Sequence, residues 1–333
     1  MLRGVEPRVL ECPRCGAPLP RRAALVRVSC EYCKSEVVFD RLSVKASEYR
    51  RLLQSYLSDE PADVAVAGFR LRLLGRLAVG HSSDVFLACR TTRLSERLLL
   101  KVLRSAGDEA LLQNEQRVLA RLESSSQRGA AYFASMVPQR AFAGLLEGPG
   151  FPRVFAAAFR QPAGFSHTLE QLRQRFPSGI DARHAIWLWR RALELLDWLH
   201  RSDVVHGAIL PAHVLLDARE HSVGLVGFSC AGPAGTPLSA MDPRKADIYP
   251  LGDAPKQALS PAGDLGMLAR CVIHALGGHG IRAPDQVPAP LAQLLAEQAA
   301  GQSSLAPLDV SRRVSDVARE CFGPPKFVKL DLT

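Results

Sequence analysis

The stretch that most constrains this chain spans residues 186–217. Ile186, Trp189, Leu193, Leu196 and Leu199 recur at spacings of three or four, which places them on one face of a helix. Directly after it comes V-V-H-G-A-I-L-P-A-H-V-L-L-D, residues 204–217. An apolar pair, Val204 and Val205, leads into His206, Gly207 and Ala208. Leu210 and Pro211 then turn the chain, and a second apolar run of Val214, Leu215 and Leu216 stops at Asp217. The pattern predicts a core helix feeding two short strands that flank a tight loop.

Upstream of this stretch the period changes to two. Phe69, Leu71 and Leu73 alternate with arginines, residues 84–89 follow after Gly80-His81-Ser82-Ser83, and 97–103 is a third apolar strand with Lys101 inside it. Residues 109–122 have helical spacing and carry Glu115. The segment 129–165 is less legible: a strand is expected within 151–159, a crossing over 160–164, and a helix beginning at His167. Downstream, helices are expected over 263–277, led by Asp264, and over 291–297 and 310–318. The final F-G-P-P-K-F-V-K-L reads as an extended, proline-stiffened tail.

In order and spacing, residues 67–320 resemble a protein kinase. Ala78-Val79-Gly80-His81-Ser82-Ser83-Asp84-Val85 lies over the loop G-x-G-x-x-G-x-V with its middle glycine kept. His206 and Pro211 match the catalytic loop, Gly227-Phe228-Ser229 lies over D-F-G, and Ala254-Pro255-Lys256 echoes A-P-E. The resemblance implies that Lys101 meets nucleotide phosphates and pairs with Glu115, making Gly80, Lys101 and Glu115 the candidate nucleotide-binding residues, with ATP as the candidate ligand. It also implies that Asp264 ties down the loop backbone. The competing reading of Lys101 is a strand-edge lysine reaching for water. With seven lysines among 333 residues, one in the expected strand favours the pairing.

What the resemblance lacks is equally specific. Ala208 stands where the family has its catalytic Asp, and His213 and Gly227 stand for the Asn and Asp that hold the metals. Mg²⁺ takes hard oxygen ligands, and neither imidazole nor glycine supplies one, so Mg²⁺ binding is not expected. Each such loss raises a barrier by a few kcal/mol, and about 1.4 kcal/mol is tenfold in rate. His206 and Phe228, which persist, belong to the packing of that fold. No catalytic residue is therefore assigned. The resemblance is to a pseudokinase of bacterial type on the serine/threonine kinase fold, acting as a scaffold or allosteric regulator. Two alternatives stand beside it: an atypical ATP-dependent serine/threonine kinase with relocated metal ligands, and a nucleic-acid-linked regulator. Asp203 and Asp217 are close in sequence, yet both read as turn endings. For His213, a hydrogen-bonded loop residue is a simpler reading than a soft-metal ligand.

The N-terminus carries a separate signature. Cys12-x-x-Cys15 and Cys30-x-x-Cys33, fourteen residues apart, have the spacing of a tetrahedral zinc site. Strand candidates lie at 24–28 and 36–39, the outline of a zinc ribbon. Four thiolates leave no open coordination position, so the expected Zn²⁺ is structural. Cys89, Cys230, Cys271 and Cys321 lie singly in apolar settings and read as core residues.

Composition bounds the rest. The formal charge of +9 spreads as +3, +6 and 0 over residues 1–60, 61–160 and 161–333, with no dense run. Protein docking is favoured over nucleic-acid binding. No apolar run reaches membrane-span length and no secretory leader is evident, so a cytoplasmic location is expected. The expected organisation is α+β: a zinc ribbon over 1–42, a helical linker over 43–66, and a bilobal protein kinase-like body. Its small lobe is expected over 67–160 and its large lobe, with tail, over 161–333.

Overall fold

The computed structural model describes residues 27–29, 36–38, 62–160, 164–250 and 258–332. Cys12, Cys15, Cys30 and Cys33, the part of the expected helical linker that precedes Ala62 and the A-P-K motif at 254–256 lie outside the described residues. Strands β1 (Arg27–Ser29) and β2 (Glu36–Val38) pair antiparallel, with Arg27 opposite Val38.

Six strands then form a closed barrel: β3 (Ala62–Val66), β4 (Phe69–Val79), β5 (Ser83–Arg90), β6 (Arg93–Leu103), β7 (Gln139–Glu147) and β8 (Phe155–Arg160), in the order β3-β4-β5-β6-β8-β7. Alternation builds the barrel: Val64, Val66, Leu71, Leu73, Leu98, Leu100 and Val102 are buried at every second position. Strand pairing starts at Ala62, earlier than the boundary expected at 66/67, because Val64 and Val66 join β3 to β4, and β3 also pairs with β7. Strand β7 had no counterpart in the expected elements. Ala141, Phe142, Ala143 and Gly144 along it are all half-buried, so it shows no alternating pattern. Helix α1 (Glu109–Glu123) buries Leu112, Glu115, Val118, Leu119 and Leu122.

The larger lobe is helical. After a short α2 (Ala130–Phe133) come α3 (Leu169–Arg175), α4 (Ala182–Arg201), α5 (Pro261–Ala275), α6 (Ala289–Ala299) and α7 (Pro307–Phe322). Thr168 and Gln171 form a reciprocal capping box that starts α3, so the helix begins two residues after His167. Helix α4 is the core element, with Trp189, Leu193, Leu195, Leu196, Trp198 and Leu199 essentially inaccessible. None of these helices is long and apolar enough to cross a membrane.

The expected strand–loop–strand is corrected on one side. Val214–Asp217 is a strand, β10, but Val205 makes only an isolated bridge to Gly232. The partners of β10 are β11 (Ser222–Leu225) and β9 (His167–Thr168). The loop is thus pinned by a sheet on its far side and by α4 and α5 on its near side. The tail beyond α7 has no regular structure but is docked. Phe327 stacks on His221 at 4.8 Å, His221 stacks on Trp187 at 4.4 Å, and Leu330 is buried.

Candidate functional site

The loop at 204–213 is anchored from beneath. Asp264, in the first turn of α5, is completely buried, and its carboxylate accepts from the backbone N–H groups of His206 (2.8 Å) and Gly207 (2.9 Å) and from His200 Nε2 (3.0 Å). Gly207 meets this demand with φ of +71°. The backbone anchoring expected of Asp264 is therefore present.

Above this anchor lies a layer of neutral rings. Ala208 N–H donates to His206 Nδ1 (3.3 Å), which leaves Nε2–H to donate to the Val226 carbonyl (3.1 Å). Burial holds the His206 pKa below its usual value, and the ring packs on Phe228 at 4.6 Å. His213 donates from Nδ1 to the Ala208 carbonyl at 2.7 Å, and burial depresses its pKa to about 4. The imidazole is thus neutral at pH 7 and acts as a hydrogen-bonded loop residue.

The placement of that ring decides much of the chemistry. Gly227 has φ of +83°, and a Cβ built on it would lie 2.7 Å from His213 Cε1 and 2.8 Å from both ring nitrogens. Real Cβ atoms do not approach that closely. The imidazole therefore fills the space into which any side chain at 227 would grow. The two positions that the kinase resemblance makes metal ligands occupy one another's volume, and Ala208 between them contributes only a carbonyl to the ring.

Opposite this layer, β6 alternation puts Lys101 on the face away from Leu100 and Val102, toward α1. Lys101 Nζ donates to Glu115 Oε2 at 2.6 Å and to Ser229 Oγ at 2.7 Å. The pair is enclosed, with the lysine side chain 14% and the glutamate 3% exposed. Glu115 also accepts from the Ser229 hydroxyl (3.0 Å) and from Phe228 N–H (3.0 Å). Burial alone would raise the Glu115 pKa, but the Lys101 charge and these donors bring it below the usual carboxylate value. Asn114, one residue earlier, donates to the carbonyls of Ser229 (3.0 Å) and Ala231 (2.8 Å).

Gly80 sits at the tip of the β4–β5 hairpin. Its N–H donates to the Ser83 carbonyl at 2.8 Å, and a Cβ there would lie 2.6 Å from that oxygen. The glycine is thus required by the turn itself, and its N–H is spent inside the turn. The two nearby acids are engaged elsewhere. Asp217 Oδ1 accepts from the backbone N–H groups of Arg219 and Glu220, closing a turn, and Asp203 pairs with Arg121 at 2.7 Å. Among the described residues no group of three or more His, Cys, Asp or Glu side chains converges as a metal site.

The structure therefore brings Lys101 and Glu115 together, and places His206, Ala208, His213 and Gly227 in one layer facing them. Sequence reasoning missed Ser229 as a partner of the ion pair. Its signal was a hydroxyl at a position where D-F-G has glycine. Asn114 carried no signal beyond its adjacency to Glu115.

No protein-family model matches the chain, and no curated protein matches it in sequence. Solved structures do. A rhoptry kinase from Toxoplasma gondii matches with TM-score 0.58 at 16% identity, over 78% of this chain and 83% of that one. The chain has a protein kinase-like fold. ROP2 from Toxoplasma gondii, described as a virulence factor with a protein-kinase fold and no enzymatic activity, matches with TM-score 0.58 at 15% identity, over 82% and 89% of the two chains. Vaccinia related kinase 3 matches with TM-score 0.57 at 15% identity, over 84% and 96%. Named kinases and a protein without activity both carry the kinase-like fold, so the fold leaves the chemistry to the site residues.

Proposed function

We propose that this protein is a catalytically impaired kinase-like protein, a pseudokinase, that works by binding. It acts as a scaffold or allosteric regulator of a protein partner in a cytoplasmic signalling assembly. A Cys12–Cys15–Cys30–Cys33 zinc ribbon ahead of the body serves as a docking element. The observation that carries this reading is the His213 ring lying in the space of any 227 side chain, beside an alanine at 208. An Asp and an Asn normally fix the metals there, and a second Asp orients the attacking hydroxyl. Supplying hard oxygen ligands would require the ring to leave, and with it the hydrogen bond to Ala208.

The retained Lys101–Glu115 pair favours a second reading, an atypical ATP-dependent kinase with relocated ligands. Against it, Asp203 and Asp217 are committed to Arg121 and to a backbone turn. Isothermal titration with ATP, with and without Mg²⁺ or Mn²⁺, separates the two. The pseudokinase reading expects no gain in affinity from either cation; metal-dependent tightening would overturn it. For the ribbon, elemental analysis should find about one zinc per chain. A folded N-terminus without metal would remove the docking element from the proposal.

A further inference from the structure

We infer that Ser229 is an internal latch that holds helix α1 in its seated position without a nucleotide, an inference that rests on the non-catalytic reading of the same site. In kinases the seat of this helix is coupled to the ligand: the Lys–Glu ion pair and the metal-bound Asp must both be in place for activity. Here the coupling is replaced by covalently attached groups. The Ser229 hydroxyl accepts from Lys101 Nζ at 2.7 Å and donates to Glu115 Oε2 at 3.0 Å, so one side chain bridges both members of the pair.

The backbone on either side completes the hold. Phe228 N–H donates to Glu115 Oε1 at 3.0 Å, and Asn114 reaches the carbonyls of Ser229 at 3.0 Å and Ala231 at 2.8 Å. These backbone contacts link α1 to the 3-10 turn Phe228–Cys230, started by the left-handed Gly227, and to Ala231 that caps it. Gly227 is thus useful twice: without a side chain it admits the His213 ring, and its φ of +83° starts the turn that presents Ser229 to Lys101. Two of the three lysine N–H groups are thus taken from within the chain, one by Glu115 and one by this hydroxyl. A glycine at 229, as in D-F-G, has no group to do this. The seat of α1 is therefore set by groups of the chain itself, and the latch holds it without ATP.

Hydrogen–deuterium exchange on the full-length chain tests this, with segments 109–123 and 228–231 as reporters and 83–90 as an internal reference. In the wild type, millimolar ATP with Mg²⁺ should leave exchange of 109–123 unchanged. Ser229→Ala should speed exchange of both reporter segments about tenfold while 83–90 holds its rate, and Ser229→Thr, which keeps the hydroxyl, should restore slow exchange. Asn114→Ala, which removes the two contacts to the carbonyls of the turn, should reproduce the local pattern. The latch is overturned by unchanged exchange in Ser229→Ala, by faster exchange spread evenly over the chain, or by ATP protecting 109–123 in the wild type. Labelled-phosphate transfer measured on the same preparations reports separately on the non-catalytic reading, so either can fail without the other.

Discussion

Replacing Gly227 by Asp would appear, from sequence, to return a metal ligand to the site. The geometry predicts instead that it unseats His213. Two costs add. An L-residue held at φ of +83° loses about 1–2 kcal/mol relative to glycine. A Cβ within 2.7–2.8 Å of three imidazole atoms is an overpacked contact, which typically costs about 1–3 kcal/mol. Gly227→Asp should therefore lower stability by about 2–5 kcal/mol, or roughly 3–7 °C in Tm for a chain of this size. His213→Ala alone loses its bond to the Ala208 carbonyl, about 1–3 kcal/mol. Together the two substitutions should be less damaging than their sum by about 1–3 kcal/mol, because the alanine vacates the space the aspartate needs. Urea unfolding of the four proteins in the cycle measures this coupling. Additivity within about 0.5 kcal/mol, or a Gly227→Asp variant as stable as wild type, would show that the ring does not occupy the 227 side-chain volume.

Two further outcomes follow from the same core. Asp264→Ala strands the N–H groups of His206 and Gly207 in a fully buried place, at about 1–3 kcal/mol each, so urea unfolding should show a loss of about 3–5 kcal/mol, with Asp264→Asn intermediate. Stability should also depend on pH through two desolvated histidines. His213 and His221 both have folded-state pKa values of about 4, below the ~6.5 of an unfolded histidine. Between these values the unfolded chain binds more protons. The stabilisation is thus complete above about pH 6.5 and is lost as pH falls toward 4. Each histidine should withdraw about 2 kcal/mol between pH 7.5 and 5, and a flat urea midpoint over that range would contradict the neutral assignment.

The parts of the fold legible in sequence are those where burial is one-sided and periodic. Helix α4 announced itself through Ile186, Trp189, Leu193, Leu196 and Leu199, and β6 through an apolar run with one lysine. Strand β7 did not, because residues 141–144 are all half-buried, leaving no contrast between faces. The expected linker boundary at 66/67 absorbs strand β3 because its five residues carry only two apolar side chains large enough to register, Val64 and Val66. Val204 and Val205 were apolar enough for a strand, yet their burial comes from packing in the core, with a single bridge to Gly232.

The site divides in the same way. Lys101 and Glu115 were legible because charge is rare inside apolar periodicity. The loss of Asp and Asn was legible as absence, but the filling of the space by His213 required three dimensions: residues 213 and 227 meet only because β10 and β11 pair across a tight turn. Ser229 was hidden for a related reason. Its meaning depends on a contact with Lys101 that spans 128 positions, which no local pattern encodes.

The central claim is tested most directly by transfer of labelled γ-phosphate from ATP, with Mg²⁺ or Mn²⁺, to the protein itself and to a generic serine/threonine substrate. Wild type and Lys101→Met should be indistinguishable, both at the level of a no-protein control. Metal-dependent transfer by the wild type that disappears in Lys101→Met would contradict the account.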